Sequence, residues 1–526
     1  MKKILYICIS AGLLFLNSCI GDLDQVPVIE TTSSKVYEKA ENYKAVLAKL
    51  YASYVIAGQD KGGGNGDISS NSGYDYLRCY FNMQEAGTDE MAYSWLEGDN
   101  IRGLSYLSWD ANDNWVSDMY YRIYYTVALC NEFLRYSNDG YIARFTEAEQ
   151  NDIRNYRAEA RFLRALAYYH AMDLYGDIPF VSEEDEVGAF IPPCYKRTDM
   201  FGYIEKELKG IEDALPTPAT CEYGRASQAA AWMLLARLYL NAEVYVGKSY
   251  YTECISYCNK VIRGGFLLND DYSKLFNADN HKRTNEIIMA FGIDATHTVS
   301  WGATTYIVCG AVGNGNTQNP ADYGLTNGWG SFRTRGELPS LFKDVTGETD
   351  RRAMFYTDGQ TLDMKAIDDQ TCGYFVEKWT NLTDAGEAAS NTGADGVCTD
   401  YPLFRLADAY LMLAEAVLRG GTGATQADAL YYINELRKRA YGNESGNITA
   451  GELTLDFILD ERARELYWET VRRTDLIRYG KFTTSEYVWQ WKGGVKDGMA
   501  VDDKYNIYPI PTSELSANPN LKNEKY

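Results

Sequence analysis

The chain has 526 residues, 46% hydrophobic and 24% charged, an ordinary globular composition for one large core or two fused ones. Its formal net charge of −22 has no basic patch to offset it, which excludes nucleic acid as a ligand, since a phosphate-binding surface needs clustered Lys and Arg. The 44 tyrosines stand out: each offers a ring face and a hydroxyl to a flat polar ligand, although most are expected to fill helix packing.

The N-terminus, MKKILYICISAGLLFLNSC, sets Lys2 and Lys3 before an apolar run, Ile4 to Leu16, too short to span a bilayer. Leu16, Ser18 and Cys19 together resemble the bacterial lipobox. That resemblance implies a signal peptide over 1–18 and a lipid on Cys19, which would hold the protein on a membrane without a transmembrane helix. Residues 19–35 read as a polar tether. Of the eleven cysteines, Cys8 and Cys19 set aside, nine remain, so at least one thiol stays free if all pairing is intramolecular. Cys254 and Cys258 fall four apart on one helix face, which does not favour a bridge. There is no CxxC and no Cys/His cluster of zinc spacing, so a scaffold depending on disulfides is not expected.

From residue 36 the pattern turns helical. A first apolar-periodic stretch covers 36–58 and closes on Gly58; 61-KGGGNGD-67 is a loop. Long helices are expected over 112–136 and 146–175, where Thr146 and Glu149 form a capping box. Others follow at about 198–214, 225–241 and 249–264, then 404–419, 424–440 and 452–470. Small residues at facing positions, Ala158, Ala160, Ala165, Ala167, Ala229 to Ala231 and Ala236, let neighbouring helices approach as tetratricopeptide-type hairpins do, with a degenerate period. Between 265 and 400 the chain is rich in Gly, Asn, Thr and Asp, with β-like runs at 286-EIIMAFGI-293 and 303-ATTYIVCG-310. The expected fold is mostly α: a single domain over 36–526, its tetratricopeptide-like helical-pair scaffold formed by 36–264 and 401–526. A loop-rich, partly β insertion over 265–400 forms the ligand face, with the loops of 60–110.

Four spaced stretches now carry a family likeness. Residues 158-AEARFLRALAYYHAMDLYGDIPF-180, 401-YPLFRLADAYLMLAEA-416, 461-ERARELYWETVRRTDLIRYGKF-482 and 508-YPIPTSELSANPNLKNEKY-526 resemble, in order, motifs of the SusD/RagB family. The spacing of 84-QEAGTDEMAYSWLEGDN-100 and 300-SWGATTYIVCG-310 is similar to that of its starch-binding subgroup. The resemblance implies an outer-membrane, lipid-anchored, surface-exposed protein that binds glycan and caps a SusC-like TonB-dependent transporter. Within the motifs, Glu159, Arg161 and Arg164, and Glu461, Arg462, Arg464 and Glu465, are spaced as charge ladders at i,i+3 and i,i+4 and read as structural.

No enzyme is expected. The three histidines, His170, His281 and His297, are scattered, and no nucleotide-binding glycine motif is present. A glycosidase needs only two carboxylates, and Asp89, Glu90 and Asp99 could be proposed, yet nothing separates them from other loop acids. No cofactor is expected. Calcium is the one candidate cation, for the oxygen-rich 275-LFNADNHK-282 and 367-IDDQ-370, but both lack EF-hand spacing.

Carbohydrate binding fits better, because indole and phenol faces stack on the C–H side of a pyranose while Asn, Asp and Arg bond its hydroxyl rim. Trp95, followed by Asp99 and Asn100, has this set, and Arg78 in 74-YDYLRCY-80 adds a planar donor fork. Trp301, Tyr306, Tyr323 and Trp329 lie in the second loop-rich region. The family pattern pairs a Tyr with a Trp some two dozen residues later, which points to Tyr306 and Trp329; Trp301 reads equally as strand-edge packing. Trp109 and Trp115 are assigned to the core. Gly328 and Gly330 are expected to leave the Trp329 ring uncovered, and Arg333 and Arg335 to brace its loop. If Trp95, Tyr306 and Trp329 meet, their arc suits a curved α-1,4-glucan. The competing reading is a structural lid for the transporter, or a binder of another polysaccharide.

Overall fold

In the computed structural model six of the twelve principal helices start on a side chain that accepts from first-turn N–H groups. The principal helices are α1 (Glu41–Ala52), α2 (Tyr76–Glu85), α3 (Asn114–Tyr136), α4 (Glu147–Tyr175), α5 (Arg197–Ile211), α6 (Gln228–Leu240), α7 (Tyr251–Ile262), α8 (Ala303–Ala311), α9 (Leu406–Leu418), α10 (Gln426–Tyr441), α11 (Leu455–Leu466) and α12 (Arg472–Arg478). Asp75 caps α2, Asp113 caps α3, Ser227 caps α6 and Thr454 caps α11; Thr146 and Thr425 open α4 and α10 with full capping boxes. The structure describes residues 33–59, 66–69, 74–188, 190–315, 317–390 and 396–526. The signal sequence, Cys19 and most of the 61–67 loop lie outside the described residues.

Helix packs on helix in chain order, α3 on α4, α4 on α5, α6 on α7, α7 on α9, and α9 on both α10 and α11. The alanines singled out by their spacing, Ala158 to Ala167 on α4 and Ala229 to Ala236 on α6, are all buried, and their small side chains allow that approach. The result is a tetratricopeptide-like scaffold. Among the described residues no helix is long and apolar enough to cross a membrane.

The strands are short. β1 (Ala92–Tyr93) pairs antiparallel with β3 (Phe332–Arg333), and β2 (Ile287–Phe291) with β4 (Tyr401–Arg405), whose last residue runs directly into α9. The β2–β4 pair ties the insertion to the scaffold.

Three expectations are corrected. The run 303–310 is not β-like but lies in α8, all nine of whose residues are buried; a helix enclosed on every side shows no polar face, and tertiary packing overrides the β propensity of its Thr, Ile and Val. The 36–58 stretch is a short helix at Ser33–Val36, reaching into the expected tether, followed by α1. The 452–470 helix stops at Leu466, because Trp468 and Thr470 adopt φ of 60°. The nine cysteines among the described residues are all free, and Cys254 and Cys258 sit with sulfurs 4.0 Å apart and unbridged.

The charged motif residues hold elements together rather than decorating one helix. Glu461 on α11 accepts from Arg352 (2.9 Å), Arg437 (2.8 Å) and Arg464 (2.8 Å), and only the last is a neighbour on the same helix. Glu465 takes Arg352 (3.1 Å), Arg405 (2.6 Å) and Arg439. Burial would raise the Glu461 carboxyl, but Arg352, Arg464 and Arg437 outweigh it and hold it at about 2. On α4, Glu159 pairs with Arg225, and Arg161 and Arg164 share Glu207. The expected ladders are a buried three-dimensional network.

Candidate functional site

The site is organised by the two-residue β1–β3 pair. Tyr93 faces Phe332, and the ladder extends to Ser94, whose N–H donates to the Ser331 carbonyl (2.9 Å). The next residue on one strand is Trp95, and Trp329 lies two before Ser331 on the other, so main-chain pairing brings the two indoles together from distant parts of the chain.

Arg333 and Arg335 brace this pair. Arg333 donates to Ser94 Oγ (3.0 Å) and the Ile367 carbonyl (2.6 Å); Arg335 donates to the carbonyls of Met91 (2.9 Å) and Ser105 (2.9 Å). Both are fully buried, and burial lowers each to about 10. They remain charged at neutral pH and are spent on the protein, as expected.

The glycines beside Trp329 act differently from the expectation. A Cβ on Gly328 would meet the Gly313 carbonyl oxygen at 2.1 Å, and Gly330 has φ of 62° with Gln370 packed behind it. The Trp329 N–H donates to the Cys309 carbonyl (2.7 Å) and the Gly330 N–H to that of Val312 (2.7 Å). The glycines therefore let the strand lie against the end of α8. They fix where the ring stands rather than leaving it loose.

Arg78 forms the floor. Its guanidinium lies 3.3 Å from the Tyr74 ring centroid on one side and 4.0 Å from that of Tyr306 on the other. Nη1 donates to the Trp301 carbonyl (2.6 Å) and Nη2 to Asp99 Oδ2 (3.0 Å). Asp99 also accepts from the Tyr93 and Tyr74 hydroxyls. Asp75, at the start of α2, accepts from the N–H groups of Arg78 (3.0 Å) and Ala303 (3.2 Å), and a Cβ on Gly302 would strike it. The Trp301 loop is thus pinned to the helix that carries Arg78.

Tyr74, Arg78, Trp95, Asp99, Trp301 and Trp329 line one cleft of about 240 Å³. Trp95 is 40% exposed and Trp301 50%, while Trp329 is half-buried. The only charged groups in the lining are the Arg78–Asp99 pair, which balance. Three indoles around a charge-neutral polar floor suit an uncharged ligand with both C–H faces and hydroxyls.

Of the residues expected from sequence, Trp95, Trp329, Trp301, Arg78 and Asp99 come together. Tyr306 does not reach the surface: it is fully buried on α8, its hydroxyl donates to Asn82 (2.8 Å), and its ring supports Arg78 from below. Tyr323 lies outside the cleft, buried, bonded through its hydroxyl to Gln318 and Glu377. Asn100 is exposed with φ of 51° and falls just outside the lining. Tyr74 was not anticipated; its i,i+4 spacing to Arg78 is the signal that could have found it. Trp109 and Trp115 are core residues, and His170 is buried against Tyr76 and Tyr80.

Of the acids considered for hydrolysis, Asp99 is in the cleft, paired with Arg78, and the other two are elsewhere. Asp89 and Glu90 are buried; Asp89 binds Arg472 and Tyr487, and Glu90 accepts from the Trp468 N–H (3.0 Å) and shares a hydrogen bond with Glu85. Among the described residues no group of three or more His, Cys, Asp or Glu is placed to hold a metal ion.

Comparison with known proteins gives concordant matches. The sequence model of the SusD family matches residues 343–526, and one described as starch-binding and associating with the outer membrane matches 68–240. Over 560 aligned positions the chain is 35% identical to the starch-binding protein SusD of Bacteroides thetaiotaomicron, covering 97% of this chain and 96% of that one. A SusD-like protein of Bacteroides ovatus is 23% identical over 97% of this chain and 89% of its own. The fold matches surface glycan-binding protein A from Bacteroides thetaiotaomicron, solved with laminarihexaose, at a TM-score of 0.70 and 18% identity over 92% of this chain and 99% of that one. A laminarin-binding SusD-like protein matches at 0.67 and 22% identity, over 92% and 99%.

Proposed function

This chain belongs to the SusD family, and from that premise we propose that it captures starch-like α-glucan oligosaccharides at the cell surface and passes them to a SusC-like TonB-dependent outer-membrane transporter. The observation that carries the glycan reading is the grouping of Trp95, Trp301 and Trp329 round one cleft over the Arg78–Asp99 floor. The arc expected of Trp95, Tyr306 and Trp329 lacks its middle member, since Tyr306 is buried; Trp301 lines the cleft with the other two indoles. Several rings lining one cleft suit a ligand that is already curved, as an α-1,4-glucan is, because a pre-shaped chain loses less conformational freedom on binding. Arg78, clamped between two rings, is equally pre-organised.

The function needs no catalysis and no cofactor: the family binds carbohydrate, and the buried Asp89 and Glu90 are committed to the scaffold. Anchoring through lipid on Cys19 completes the proposal, and a Cys19→Ala variant should lose metabolic labelling with an alkyne fatty acid.

Isothermal titration with maltoheptaose, α-cyclodextrin and laminarihexaose tests the ligand. Binding of both α-glucans is expected. Tight laminarihexaose binding with neither α-glucan bound would reassign the cleft to a β-glucan. No glycan binding alongside retained co-purification with the transporter would make the chain a lid.

A further inference from the structure

Sharing no residue with the tryptophan cleft, a depression of about 700 Å³ opens on the helical scaffold between α6, α7 and the turn after α9. Its wall is built closely. A Cβ on Gly421 would meet Ile255 of α7 at 2.7 Å, so the turn lies flat on the helix. The Thr422 N–H donates to Thr252 Oγ1 (3.0 Å), and Asn259 Nδ2 donates to the Gly423 carbonyl (3.3 Å). Opposite, Trp232 is half-buried and held by its Nε1–H on Glu212 (2.7 Å). Lys260 binds the same carboxylate, so that charge is cancelled.

Along the groove α7 presents Thr252, Ser256, Asn259 and Arg263, one stripe of its surface. Arg263 makes no ion pair among the described residues, and it lies within electrostatic reach of the Tyr432 hydroxyl. There α10 carries Tyr431, 58% exposed, its ring 5.3 Å from that of Tyr432, which packs 4.5 Å from Tyr410. The groove is therefore lined by an indole, hydroxyls, an amide and a guanidinium, and the Tyr431 phenol stands outside that lining. One unpaired cation is too few for a polyanion, and the wall is too polar for an apolar helix. Its size and its sparse convergent polar groups are those of a ligand site.

We infer that this groove is a second glycan-binding surface, for a neutral oligosaccharide segment, of lower affinity than the cleft. The class of ligand rests on the function proposed above; the existence of the site does not rest on the cleft. Two sites on one chain make the second contact with a long polymer intramolecular, so the pair should discriminate by length. A chain of a few sugars fills the cleft alone; amylopectin reaches both.

The test uses the full soluble chain without its signal sequence, in gels containing amylopectin and in titrations with maltoheptaose. A variant combining Arg263→Ala with Ser256→Ala changes two exposed residues of the groove lining. It should bind amylopectin about tenfold more weakly and maltoheptaose as the wild type does. A variant combining Trp95→Ala with Trp329→Ala should lose maltoheptaose but keep weak retardation by amylopectin. Wild-type amylopectin binding by the groove variant, or complete loss of retardation by the cleft variant, would overturn the second surface and leave the cleft standing. Loss of co-purification with the transporter by the groove variant, with amylopectin binding intact, would make the groove a protein interface. Failure of the wild type to bind either glucan would instead remove the α-glucan reading, and the assignment of this groove to a starch segment with it.

Discussion

The tryptophan cleft and the ion network round α11 are built of opposite materials. The cleft exposes indoles on loops, with one balanced charge pair for a floor. The network buries Glu461, Glu465 and Glu286 among Arg352, Arg405, Arg437, Arg439 and Arg464, with almost no solvent. Buried charges make the chain intolerant of change where its helices meet, since any one partner removed leaves the remaining charges unbalanced in a poor solvent for ions. Rings at loop tips make it tolerant where ligand is met. The conspicuous motif residues thus report the scaffold, and the ligand-facing residues have little motif around them.

Glu465→Ala should break this division most sharply. It takes one carboxylate from each of Arg352, Arg405 and Arg439, which keep Asp350 and Glu461, Glu286 and Glu469, and Glu286 respectively, and so leaves the buried cluster with excess positive charge. A loss of about 3–5 kcal/mol in denaturant unfolding is expected, with glycan affinity unchanged in the fraction that stays folded. Trp95→Ala acts on the other region: calorimetry should show about 1–3 kcal/mol less binding, while thermal unfolding falls by only about a degree or two because the residue is 40% exposed and packs at the edge of Tyr93.

A third test separates the charge clusters by pH. Burial, against the pull of Arg472, raises the Glu90 carboxyl to about 8, so the folded chain keeps a proton that the unfolded chain has released. Stability from this group is complete below the usual carboxylate range and is lost as pH rises through about 8. Glu461, held at about 2, behaves oppositely: its contribution is present above the usual range and is lost as pH falls towards 2. Glu90→Gln should therefore flatten the alkaline decline in melting temperature by a degree or two and leave the acid limb alone. No effect on any glycan titration is expected from Tyr323→Phe, which loses two hydrogen bonds worth about 0.5–1.5 kcal/mol each and acts on stability alone.

The helices and their pairing were legible because caps and periodic apolar residues are local signals: Thr146 with Glu149, and the alanines of α4 and α6, needed no partner to be read. Trp95 and Trp329 were legible as candidates from their loop context, though only the β1–β3 pair brings them together. Tyr306 was misplaced because a run of β-branched residues reads as strand until burial on all sides makes it a helix. Trp301 was underrated for the converse reason: its exposure depends on Gly302 pressing against Asp75, a contact between segments far apart in the chain. Charge spacing suggested ladders along single helices, because sequence shows i,i+3 and i,i+4 neighbours and hides partners on other elements.

The β1–β3 clamp has one more consequence. It is made of backbone bonds and is indifferent to the rings mounted beyond it. A single codon change at position 95 or 329 would swap the surface offered to a sugar while the gap between the two mounts stays set. Insertions in the loops between them would leave that gap alone as well. Such a part can diversify quickly: descendants of this chain could turn to new polysaccharides by exchanging fittings, without renegotiating the frame that carries them.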